Sequence, residues 1–121
     1  MLVATEALAR QLERIATGYL VTRHSGPGNP MGTQFLRIGT GVATKVPYVP
    51  ANPGMNCMHG LEDAAALPQV LEFYAATQQC CWIDVVPYAP TTFTHALYDA
   101  GFCPDSYTAT LYAAPVPVSL P

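Results

Sequence analysis

The strongest strand signal in the chain is the run CCWIDVV at residues 80–86, which is followed by Pro87 and Pro90. Apart from Asp84, its residues are β-branched, aromatic or otherwise apolar, and the apolar character continues over both alternating faces. A strand of this kind is covered on both sides in a folded protein. Residues 80–86 therefore predict a central strand of a sheet.

Outward from this run, the chain alternates between predicted helices and strands. Helices are predicted over 5–20, 68–79 and 91–100, with Pro68 at a helix start and Gly101 after a helix end. Strands are predicted over 35–38, 42–46, 55–61 and 108–113, and residues 114–121 are predicted to form an extended tail. The break at 39–41 is either a turn between two short strands or a bulge in one. These elements predict an α+β domain spanning 1–121, with a mixed, mostly antiparallel sheet of five or six strands and about three helices.

The first helix carries one apolar stripe, which is predicted to face the core. Its members follow one another at spacings of four, three and four: Leu8, Leu12, Ile15 and Tyr19. The polar residues beside the stripe are predicted to face solvent: Arg10, Glu13 and Arg14. This pattern favours a scaffolding role for the helix.

Charge and cysteine content narrow the classes of function. Only 11% of the residues are charged, with five basic and eight acidic side chains and a net charge of −3. Nucleic acid is therefore not predicted as a partner, since no basic patch would neutralise phosphates. The low charge predicts a homodimer, or a surface covered by a protein partner.

The four cysteines lack zinc-site spacing, so no metal site is predicted and the thiols are expected to be buried and reduced.

No apolar run is long enough to cross a membrane, and the first residues lack a basic segment and an apolar signal core. The sequence therefore predicts a cytoplasmic protein without membrane contact.

Several short segments, taken in order, resemble one family. They are Gly41-Val42-Ala43, MNCMHGL at 55–61, LEFY at 71–74, IDVVPY at 83–88, LYDAGF at 97–102 and TLY at 110–112. Together they resemble the GNAT superfamily of acyl-CoA-dependent N-acetyltransferases, and more narrowly the degenerate N-terminal half of its tandem members. The resemblance is strongest over residues 40–113 and implies a GNAT-like sheet with a V-shaped opening that binds the substrate.

The chain departs from active GNAT domains where they hold their cofactor. Active members have a Gln/Arg-x-x-Gly-x-Gly/Ala turn whose backbone N–H groups bind the pyrophosphate of CoA. The corresponding residues 61–69 contain no paired glycines and no basic side chain, but do contain Glu62, Asp63 and Pro68. The resemblance therefore implies a domain without a cofactor, in which acetyl-CoA does not bind in the usual mode.

His59 and Asp84 are the candidate catalytic residues. The resemblance places His59 on a strand lining the opening, where a histidine can serve as a general acid or base. Asp84 lies within an apolar strand, where a carboxylate must find a partner or raise its pKa. The alternatives are a His59 hydrogen-bonded within the sheet and an Asp84 at a solvated or interfacial position.

Substrate contacts are predicted for Asn56, Tyr48, Trp82 and Tyr112. Asn56 has the alternative role of fixing the loop that enters its strand. His24 lies in a Gly/Pro-rich loop from which it could reach over a cleft, whereas His95 is predicted to be exposed.

Three functions fit these residues. The first is a small-molecule-binding or protein-interaction module. The second is a CoA-independent enzyme that catalyses a cyclisation, isomerisation or hydrolysis, with His59 as the base and Asp84 or a tyrosine as the acid. The third is an acyltransferase with an atypical cofactor site.

Overall fold

The structure, a computed structural model, describes residues 5–106. In chain order the elements are α1 (Glu6–His24), β1 (Gln34–Ile38), β2 (Gly41–Lys45), β3 (Met58–His59), a short 3-10 helix (Ala64–Ala66), α2 (Leu67–Ala75), β4 (Ile83–Asp84) and α3 (Thr91–Asp99). The α+β class and the three α-helices are confirmed. The predicted strand 108–113 and the tail 114–121 lie outside the described residues.

The described strands form one mixed sheet in the order β1-β2-β3-β4. β1 and β2 pair antiparallel from Gln34↔Lys45 to Ile38↔Gly41, so the break at 39–41 is a turn. β2 also pairs antiparallel with β3, whereas β3 and β4 pair in parallel. Four strands are present among residues 5–106, and the five or six that were predicted are not confirmed.

The predicted central strand differs most from the structure. Only Ile83 and Asp84 of residues 80–86 form β4, which lies at the edge of the described sheet and pairs with β3 alone among the described strands. β3 offers only two residues for pairing, since the chain turns away at Gly60 with φ +76°. The apolar run therefore contributes isolated packing contacts, with Val86 buried and Val85 exposed.

The core lies between the sheet and helices α2 and α3. Its largest fully buried side chains include Tyr74 of α2, Phe93 of α3 and Met58 of β3. The Tyr74 hydroxyl donates a hydrogen bond of 2.8 Å to the carbonyl oxygen of Thr44 in β2. Gly101 follows α3 with φ +90°, as its predicted position after the helix end requires.

Helix α1 is longer than predicted, and its orientation differs from the prediction. It begins after Thr5, whose side chain accepts a hydrogen bond from the backbone N–H of Leu8, and it ends at His24. Two members of the apolar stripe face solvent, since Ile15 is 60% exposed and Tyr19 is 68% exposed. The side of α1 nearer the sheet instead carries Arg10, Glu13 and Thr17, so the prediction that Glu13 faces solvent is wrong. The other two members of the stripe, Leu8 and Leu12, are half-buried. No helix among residues 5–106 is both long and apolar enough to cross a membrane.

Candidate functional site

The two candidate catalytic residues face each other across neighbouring strands. The parallel pairing of β3 and β4 sets His59 opposite Asp84. Nδ1 of His59 lies 3.4 Å from Oδ2 of Asp84, and the two side chains are 24% and 45% exposed. The structure thus brings together an imidazole and a carboxylate that solvent can reach.

Helix α1 adds a third group to this pair. Glu13 is half-buried, and one ligand atom from each of Glu13, His59 and Asp84 lies within 4.8 Å of the other two. We call these three residues the His59 cluster. Carboxylate oxygens and imidazole nitrogens are also donor atoms for divalent metal ions. Sequence reasoning missed Glu13 because its neighbours on the helix suggested a solvent-facing side.

Burial and charge shift the pKa values within the His59 cluster. Burial of the imidazole lowers the pKa of His59, but the nearby carboxylate of Asp84 raises it above its ordinary value. Burial is also the main cause of a raised pKa for Glu13, and the charge of Asp84 raises it further while His59 opposes the shift. The surroundings of the cluster therefore favour positive charge on the ring.

Hydrogen bonding at the His59 cluster is incomplete within the described residues. Nε2 of His59 and Nε1 of Trp82 are buried atoms without a hydrogen-bond partner. The thiol of Cys57, two residues before His59, instead points at the carbonyl oxygen of Met58 at 3.6 Å. Buried polar groups nearly always have partners, so these two nitrogens are exceptions among the described residues.

A close approach of backbones places His59 on its strand. Gly60 follows it with φ +76°, and a Cβ added there would lie 2.9 Å from the carbonyl oxygen of Thr40. The Thr40 hydroxyl donates to the Gly60 carbonyl oxygen at 3.0 Å. Only glycine combines this dihedral angle with this space, so the turn after His59 fixes where β3 ends.

Asn56, a predicted substrate contact, has its hydrogen-bonding capacity filled by the protein. Its Oδ1 accepts from the backbone N–H of Val46 at 2.7 Å and from Nε2 of Gln79 at 2.8 Å. Its Nδ2 donates to the carbonyl oxygens of Val49 and Asn52 at 2.8 and 2.9 Å. An amide side chain offers two donors and two acceptor positions. The alternative role, fixing the loop that enters β3, accounts for this fully buried side chain.

The other predicted residues are scattered. Tyr48 is largely exposed in a loop, and Trp82 lies two residues before Asp84. Tyr112 lies outside the described residues. His24 does not reach over a cleft but is buried at the end of α1, with Nδ1 3.2 Å from Oγ1 of Thr33, whereas His95 is exposed as predicted.

An open groove of about 510 Å³ lies away from the His59 cluster, between β1 and α2. Its lining includes Arg37, Lys45 and Phe73, and none of the predicted site residues. Lys45 is buried, and its Nζ donates to the carbonyl oxygen of Phe73 and lies 4.2 Å from the centre of that ring. Phe73 is in the last turn of α2, where a cation stabilises the free carbonyl groups. Lys45 therefore has a structural role.

Comparison with known proteins gives no match, since no family model, no curated protein and no solved structure is similar to this chain. The GNAT resemblance is therefore neither supported nor contradicted by these comparisons.

Proposed function

We propose that the chain is a GNAT-like binding domain that works without acetyl-CoA and holds a small cationic ligand at the His59 cluster. One observation carries the proposal: two carboxylates and an imidazole converge from three elements of the fold. When both carboxylates are ionised they outnumber one protonated imidazole, so the site keeps a net negative charge that attracts a cation.

The segment before α2 supports a function without acetyl-CoA. Glu62 is paired with Arg10 at 2.9 Å, and Oδ1 of Asp63 accepts from the backbone N–H of Ala65 at 2.9 Å. Pro68 removes a further N–H group from the first turn of α2. A pyrophosphate at this helix start would meet two acidic side chains and fewer free donors.

Acid–base catalysis is the second candidate function, and the contact of 3.4 Å between His59 and Asp84 favours it. Binding ranks first because Glu13 supplies a second carboxylate, which a proton-transfer pair does not need and a cationic ligand does.

We further propose that two copies of the chain associate through α1. Ile15 and Tyr19 are large, exposed apolar residues four positions apart, so they share one face of the helix. A second copy presents the same face, and the pairing would remove both residues from water.

Native mass spectrometry tests the binding proposal. Wild type, Asp84→Asn and the control Asp99→Asn would be compared as purified from cells and after addition of ethylenediammonium or divalent cations. We expect an added mass on wild type and on the control, whose changed residue is exposed at the end of α3, and none on Asp84→Asn. A wild type that carries and gains no added mass under these conditions contradicts the proposal.

A further inference from the structure

We infer that the His59 cluster is a metal site: Glu13, His59 and Asp84 bind one divalent transition-metal ion of the Mn²⁺, Fe²⁺ or Zn²⁺ kind. This inference rests on the proposed function, because it names the cation that the same site holds. It goes further in assigning one ligand atom to each of the three side chains.

The spacing of the donor atoms fits one ion. Metal–oxygen and metal–nitrogen bonds of about 2.0–2.2 Å allow two donors of one ion to lie up to about 4.4 Å apart. The donor atoms of the cluster lie within 4.8 Å of one another. Adjacent donors of one ion lie about 3–3.6 Å apart at these bond lengths, so side-chain rotations that move the donors by about 1 Å would bring all three onto one ion.

Charge also favours a divalent ion here. Glu13 and Asp84 supply two carboxylates, which a divalent ion balances. Binding of the ion at the imidazole would displace the proton that the ring otherwise carries. Among residues 5–106, the salt bridges made by arginine and lysine join Arg10 to Glu6 and to Glu62, so no such bridge reaches either carboxylate of the cluster. Within residues 5–106, the one ion-pair partner of Asp84 is His59.

The imidazole gives a second, independent observation. Within residues 5–106, Nε2 of His59 is a buried atom without a hydrogen-bond partner, and Nδ1 lies 3.4 Å from Oδ2 of Asp84, which is longer than the usual hydrogen bond of about 2.7–3.2 Å. Neither ring nitrogen therefore has a short hydrogen bond to hold the ring. Coordination of a metal ion through Nδ1, the nitrogen that faces Asp84, would fix the ring and leave the proton on Nε2.

Three protein ligands leave coordination positions open. Structural zinc sites are closed by four protein ligands, whereas catalytic and substrate-binding sites keep a position for water or a ligand. The ion would also tie α1 to β3 and β4, since each element contributes one donor. Metal binding should therefore stabilise the folded chain.

Electron paramagnetic resonance of free Mn²⁺ tests the inference, because Mn²⁺ prefers oxygen and nitrogen donors and avoids the exposed thiols of Cys80 and Cys103. Wild type should bind one Mn²⁺ per chain. Glu13→Gln and Asp84→Asn should each weaken binding at least about tenfold. The controls Glu72→Gln and Asp99→Asn change exposed carboxylates elsewhere and should bind as wild type does. Circular dichroism of each variant would confirm that it is folded.

Two results would overturn the metal site. One is a wild type that binds no Mn²⁺ at millimolar concentration. The other is equal binding by wild type, Glu13→Gln and Asp84→Asn, which would place the ion elsewhere. An organic cation that stays on chelator-treated wild type and is lost from Asp84→Asn would overturn the metal inference and leave the proposed function standing. Loss of both kinds of binding would overturn both.

Discussion

Burial decides how the histidines of this chain differ. His24 is buried against Thr33 and Phe35, His59 is half-buried between two carboxylates, and His95 is exposed on α3. The sequence alone gives all three the same chemistry. Their separate roles come from the elements that cover them.

His24 should make folding stability depend on pH. Burial, together with the charges of Arg23 and His59, lowers the pKa of His24 in the folded chain below the value of about 6.5 expected when unfolded. Below that pH the unfolded chain binds more protons, so acid favours unfolding. The free energy of unfolding of wild type should therefore decline between pH 7.5 and pH 5. In His24→Gln this decline should be smaller, as urea unfolding at the two pH values would measure. His95→Gln should keep the wild-type decline. Equal declines in His24→Gln and wild type would refute the assignment.

Asn56 should matter for stability more than for binding. Asn56→Ala leaves the buried N–H of Val46 without a partner and removes the amide hydrogen bonds to the carbonyl oxygens of Val49 and Asn52, which still accept from backbone N–H groups. The free energy of unfolding should fall by roughly 3 kcal/mol. Asn52→Ala removes only an exposed hydrogen bond to Gly54 and should cost less than about 1 kcal/mol. Urea unfolding compares them. An Asn56→Ala variant as stable as Asn52→Ala would return Asn56 to the list of substrate contacts.

At the scale of elements, the link between α2 and β2 depends on Tyr74. Burial raises the pKa of its hydroxyl well above the ordinary value, so the group stays protonated and donates to the carbonyl oxygen of Thr44. Tyr74→Phe should lower the free energy of unfolding by about 1–2 kcal/mol without changing the core volume. Tyr98→Phe, at a largely exposed position on α3, should have no measurable effect. A Tyr74→Phe variant as stable as wild type would show that the bond contributes nothing.

Local patterns predict the helices better than they predict the sheet. Pro68, Gly101 and the apolar spacing of α2 and α3 are local signals, and the structure places those helices close to the predicted positions. The length of β4 depends instead on its pairing partner β3, which is far away in the chain and ends before Gly60. The apolar run at 80–86 therefore predicted a strand that is longer than the two residues of β4.

The His59 cluster shows the same limit. His59 and Asp84 could be selected as candidates because each is a titratable residue in predicted strand surroundings. Glu13 could not, because the apolar stripe of α1 predicted the opposite orientation of the helix. The polar series Arg10, Glu13 and Thr17 at helical spacing was a signal available in the sequence. That series indicates the sheet-facing side of α1 only once Glu62 and Gly60 are known to lie beside Arg10 and Thr17.

At the scale of the whole molecule, the exposed face of α1 should control association. Tyr19→Glu would place a charge in the proposed contact between two copies, and should convert a dimer to a monomer in sedimentation velocity. Tyr98→Glu, at an exposed position of α3, should leave the wild-type mass unchanged. A monomeric wild type, or a dimer that tolerates Tyr19→Glu, would refute pairing through this face.

Under the proposal, the edge of a small sheet meets a polar helix at one site for a cation. The most direct test is line broadening by Mn²⁺ in the amide NMR spectrum, since a bound paramagnetic ion broadens the signals of nearby residues. We predict that substoichiometric Mn²⁺ broadens Glu13, His59 and Asp84 together, on α1, β3 and β4 at once. Broadening confined to exposed acidic residues such as Glu72 and Asp99, or no broadening at all, would contradict a shared cation site.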